Sequence, residues 1–108
     1  MLQHREIKKR FARIEREIEE AEIGCRSDAT LPQQLKDCVM RWKRNSDEMK
    51  SLLDTENFAR VAEYVDNMEQ IGEQAETALR ANVGVDDNLR RSVVHAHSEL
   101  SYLKKKLH

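Results

Sequence analysis

The sequence predicts an all-α protein, an antiparallel up-down four-helix bundle of long amphipathic helices in a single domain over residues 1–108. Three observations predict it. Apolar residues recur at alternating spacings of three and four in four separate segments, as on a helix face that must be covered. No stretch alternates with period two for long enough to make a strand. One proline and three glycines in 108 residues, against 36% charged side chains, favour long two-faced helices over a turn-rich mixed fold.

The first helix, over about residues 2–23, carries the stripe Ile7, Phe11, Ile14, Ile18 and Ala21. Gly24 is placed to end it in the left-handed conformation. The second, over about 31–53, carries Leu31, Leu35, Cys38, Trp42, Asn45, Met49 and Leu52. Thr30 reads as its N-cap, with Gln33 completing a capping box and Pro32 tolerated in the first turn. Asn45 falls on the seam, where a buried amide fixes register at some cost in stability. Alternatively, Asn45 and Ser46 together let the helix turn toward solvent.

The third helix, over about 56–82, carries Phe58, Val61, Val65, Met68, Gly72, Ala75 and Leu79. Continuing from Leu52 in phase would bury Glu56 and Glu63, so the chain must break, with Asp54 or Thr55 as the cap. Gly84 is expected to close this helix. Asp86 or Asp87 then caps the fourth, over about 86–107, with the stripe Leu89, Val93, Ala96, Leu100, Leu103 and Leu107. Lys104, Lys105 and Lys106 in its last turn suit the helix dipole. Short connections set successive helices antiparallel. Folding about Gly84 puts Gly72 level with Ala96 and Met68 level with Leu100. Folding about Thr55 puts Trp42 level with Met68, so Trp42 is expected in the core near Ile14, Met68 and Leu100.

Composition excludes several function classes. With 19 basic and 20 acidic side chains the formal charge is −1, which argues against nucleic-acid binding, where a basic face must displace counterions. Charge-free runs as short as Ser92–Ser98 cannot span a bilayer. The N-terminus lacks the basic, apolar, small-residue order of a secretory signal, so a cytoplasmic protein without membrane attachment is expected. Cys25 and Cys38, with twelve residues between them, match neither a zinc site nor a disulfide framework. Cys38 lies on an apolar stripe and reads as a small core residue.

Asp66, Glu69, Glu73 and Glu76 line one face of the third helix. Asp66, Glu69 and Glu76 lie off the apolar stripe, so the face reads as solvated. "VVHAHSEL" sets His95 and Glu99 one turn apart, with His97 beside the stripe. These three residues support an alternative reading, a small metal-binding or phosphotransfer-type signalling bundle. No strained nucleophile turn or glycine-rich phosphate loop occurs, so neither an enzyme nor a cofactor is expected.

The first helix is charged against its dipole. Arg5 to Arg16 hold six basic and two acidic residues, and Glu17 to Glu22 hold four acidic residues and no base. Two antiparallel arrangements neutralise such a helix. In one, the second helix folds back with Lys36, Arg41, Lys43 and Arg44 beside Glu17–Glu22, and with Asp47, Glu48 and Asp54 beside Lys8–Arg16. In the other, two copies of the first helix pair. The expected function is therefore a non-enzymatic helical protein–protein interaction module, a homodimer with Lys8, Arg10, Arg13, Glu17, Glu20 and Glu22 at the interface. An oligomeric nucleic-acid-associated regulator is the remaining alternative.

Overall fold

The computed structural model describes residues 3–55 and 57–108. Four helices follow one another along the chain: α1 (His4–Arg26), α2 (Gln33–Leu53), α3 (Phe58–Arg80) and α4 (Asp87–Leu107). Among the described residues there is no strand. Each helix packs beside two others, α1 and α3 both lying against α2 and α4, so the four form a square bundle. One continuous apolar core runs through it.

The α1 stripe is as the spacing predicts: Ile7, Phe11, Ile14, Ile18 and Ala21 are the buried residues of that helix. In α2 the stripe rotates by one residue after Trp42, so Ser46 and Leu53 are buried while Asn45 and Leu52 are only half-covered. A straight helix has 3.6 residues per turn and drifts about 20° per heptad against a strict 3.5 repeat, which moves the seam onto Ser46. Trp42 is completely buried, and its indole Nε1–H donates to the Met68 carbonyl at 2.7 Å. That bond sets the level of α2 against α3.

Several boundary signals act differently from the sequence reading. Gly24 lies inside α1, which runs on to Arg26. A Cβ at Gly24 would stand 3.3 Å from Leu89 Cδ1, so this glycine serves the approach of α4 rather than a helix end. Thr30 does not cap α2. Its N–H and hydroxyl both donate to Asp28, closing a local turn, and the helix starts after Pro32 without a side-chain cap. Asn57, rather than Asp54 or Thr55, caps α3 by accepting from the Arg60 N–H. The expected starts of α1 at residue 2 and of α3 at residue 56 lie outside the described residues. Helix α3 ends at Arg80 with Ala81 as C-cap, well before Gly84. Asp86 caps α4, its carboxylate accepting from the N–H groups of Asn88 and Leu89.

The Ser46 hydroxyl is buried and, among the described residues, without a hydrogen-bond partner. An unpaired buried hydroxyl costs about 1–3 kcal/mol, and alanine is the better helix former. Ser46→Ala is therefore expected to raise stability by about 0.5–2 kcal/mol in urea unfolding. A loss of stability would show that this hydroxyl has a partner.

Candidate functional site

Two polar sites flank α4, one on each side. On the α1 side, an open groove of about 460 Å³ is lined by Arg13, Arg16, Glu17, Glu20, His95, Ser98 and Glu99. A second groove, sharing Glu20 with the first, lies toward the end of α1 beside Leu89 and Ile23, which is 56% exposed. The residues expected at an interface divide between committed and uncommitted. Lys8 pairs with Asp54 of α2 at 3.0 Å. Arg10 lies over the Tyr102 ring at 4.1 Å and reaches Glu99 at 3.6 Å. Glu22 pairs with Arg26 within α1, and Glu20 accepts from the Ser92 hydroxyl. Arg13, Arg16 and Glu17 form no salt bridge among the described residues.

The basic half of α1 is thus answered in part by its own chain. Asp54 meets Lys8, and Glu99 of α4 meets Arg10. The acidic half faces Lys43, whose pKa is raised first by its hydrogen bond to Asp47 and further by the charges of Asp47, Glu19 and Glu22. Arg41 and Arg44 turn the other way, into a polar groove on the α2–α3 side with Asn67, Gln70 and Gln74. The folded-back arrangement therefore holds for Lys8, Asp54 and Lys43 but not for those two arginines, nor for Lys36, Asp47 and Glu48, which bond to the Ala29 carbonyl, to Lys43 and to the Tyr64 hydroxyl.

On the α3 side stands a tighter cluster. Glu69, Gly72 and Glu76 follow one another at spacings of three and four and so share one face of α3. His97 of α4 projects onto that face. Its Nδ1 lies 2.5 Å from Glu76 Oε2 and its Nε2 2.8 Å from Glu69 Oε2. The other Glu69 oxygen accepts from Lys104 Nζ at 3.1 Å. The side chains of Glu69 and His97 are only 9% and 13% exposed. Gly72 makes this possible, because a Cβ there would stand 2.5 Å from His97 Cδ2 and 2.7 Å from Cγ. The imidazole lies against bare backbone, flanked by a carboxylate one turn away on either side.

Electrostatics follow from the geometry. Burial disfavours the imidazolium, but hydrogen bonds to Glu69 and Glu76, and their charges, outweigh it and raise the His97 pKa. Burial likewise raises the Glu69 pKa, but hydrogen bonds from His97 and Lys104 outweigh it and bring the net value down. The two shifts agree on a charged pair. Donor atoms of Glu69, Glu73 and His97 lie within 4.8 Å of one another, close enough for a divalent ion. Both ring nitrogens of His97 and the Lys104 ammonium already contact Glu69 and Glu76, so the arrangement is a compact hydrogen-bonded cluster.

This corrects two sequence readings. The carboxylates on α3 are not a uniformly solvated face, since Glu69 is buried. Nor are His95, His97 and Glu99 brought together: His95 and Glu99 line the α1–α4 groove, whereas His97 faces α3. Gly72 does stand at a close α3–α4 approach, and the side chain directly over it is that of His97, the residue after Ala96. The signal in the sequence was Gly72 itself, a glycine inside a strongly helical segment between two glutamates, which calls for something close above it.

The chain matches no known family model, no curated protein and no solved structure with which it was compared. Among the described residues no helix is long and apolar enough to cross a membrane.

Proposed function

We propose that the protein is a non-enzymatic interaction module of the cytoplasm that pairs with a second copy of itself through the α1 side of the α1–α4 groove. One observation carries this reading: Arg13, Arg16 and Glu17 line that groove with both signs of charge and no ion-pair partner among the described residues. Two such faces related by a two-fold axis are self-complementary, because residue i meets j and j meets i. Antiparallel pairing centred between Arg16 and Glu17 sets Arg13 of one copy opposite Glu20 of the other and Arg16 opposite Glu17. Ile23, exposed at the edge of the same face, supplies apolar area that the charges alone lack. A formal charge of −1 favours a protein partner over a nucleic acid.

Exposed ion pairs contribute about 0–1 kcal/mol each, so their effect is on orientation and partner choice. A charge swap tests this. One variant carries Glu17→Lys and Glu20→Lys, and the other carries Arg13→Glu and Arg16→Glu. At low salt each variant alone is expected to associate less than the parent, and an equimolar mixture is expected to regain association. The differences should shrink as salt screens the pairs. Variants that associate as the parent does would remove this face from the interface.

A further inference from the structure

We propose that the α3–α4 seam is a proton-operated latch, closed while the His97 imidazolium spans Glu69 and Glu76 and loosened when that proton is lost. The case rests first on counting hydrogens. A neutral imidazole carries one N–H and one lone pair. With a carboxylate oxygen at 2.8 Å from one nitrogen and at 2.5 Å from the other, only the doubly protonated ring can donate to both. Removing one proton turns a donor into an acceptor facing an anion. Either that carboxylate moves away or the ring does.

The surroundings decide which contact breaks. On α3 the ring is faced by Glu69 and Glu76, with Glu73 beside them. On its own helix the nearest charge in the cluster is Lys104, bound to Glu69 at 3.1 Å. Further along the same seam His108 meets Asp66 at 2.9 Å. Helix α1, the other neighbour of α4, presents Arg13, Arg16, Glu17 and Glu20 to His95 and Glu99 on the opposite side. Glu69 keeps Lys104 after deprotonation, whereas Glu76 has no other salt bridge among the described residues. The Glu76 contact is therefore the one that opens, and the ring then has no second anchor over Gly72.

The sign follows from the direction of the shifts. His97 titrates higher in the folded chain than in the unfolded one, so its stabilisation is complete below the unfolded value of about 6.5. That stabilisation is lost as pH rises through the raised folded value. Glu69 titrates lower when folded, so its contribution is present above about pH 4.3 and lost as pH falls through the depressed value. The latch is closed between these limits and opens on the alkaline side.

Ring ¹⁵N spectra of the full chain across pH test it, with the His97 resonances identified by their loss in His97→Gln. Both His97 nitrogens are expected in the protonated range at pH 7, with a midpoint above that of a free histidine. Glu76→Gln should lower the midpoint. Hydrogen-exchange protection in the second half of α4 should fall above the parent's midpoint, and in His97→Gln it should show no such step. A single neutral tautomer at pH 7 would overturn the latch. So would a midpoint at or below that of free histidine, or protection in the parent that does not change across the midpoint.

Discussion

Trp42→Ala is expected to destabilise the protein by about 3–5 kcal/mol, the usual cost of removing a buried large aromatic. That is a large part of the 5–15 kcal/mol, in round numbers, that holds a domain of this size together. Two losses combine. The indole is wholly buried at the α2–α3 contact, so its removal leaves a cavity among rigid neighbours. Its N–H also ties α2 to the Met68 carbonyl. Trp42→Phe separates the terms, since it keeps much of the ring while deleting the donor, and a hydrogen bond is worth about 1 kcal/mol net. Native fluorescence should be blue-shifted and move red on unfolding. Emission already at the position of solvated indole in the folded protein would contradict the burial.

The second large effect is expected at Gly72. Gly72→Leu should cost about 1–3 kcal/mol through overpacking. Gly72→Ala is the more informative change, because alanine gains about 1 kcal/mol of helix propensity over glycine at an open position. Here the added Cβ meets three atoms of His97, its Cβ, Cγ and Cδ2, at 3.0 Å or less, so the whole side chain must shift. The imidazole would leave its place between Glu69 and Glu76, and net destabilisation is expected. Repeating Gly72→Ala in a His97→Ala background should reduce the cost, since the ring atoms Cγ and Cδ2 are gone, the remaining Cβ at 3.0 Å needs only a small adjustment, and the propensity gain remains. A Gly72→Ala variant more stable than the parent in both backgrounds would show that His97 does not occupy this space.

How much could be read from sequence depended on how local the cause was. The α1 stripe is legible residue by residue because that helix buries a narrow seam of five positions. The α2 stripe is legible at Leu35, Cys38, Trp42 and Met49, while the 3.6-residue period carries its two other late positions to Ser46 and Leu53. Caps were harder, because Asp28 and Thr30 compete for the same local bonds and the winner is settled by where the chain must turn. Gly24 looked like a terminator because its reason for being glycine is Leu89, which lies 65 positions further along the chain. The same holds for the cluster on α3. Glu69 is tolerated inside the seam by His97 and Lys104 on another helix, a compensation that no spacing within α3 reveals. The reversed charge of α1 is legible in sequence. Its partial neutralisation by Asp54 and Glu99 leaves Arg13, Arg16 and Glu17 in the α1–α4 groove, with Arg5, Lys9 and Glu19 outside it, without a salt bridge among the described residues.

Self-association is the central functional claim, and light scattering of the parent protein across concentration tests it most directly. The weight-average mass is expected to rise from that of one chain toward that of two as concentration reaches the high micromolar range at low salt. A mass that stays at one chain throughout that range would contradict the pairing of two α1 faces.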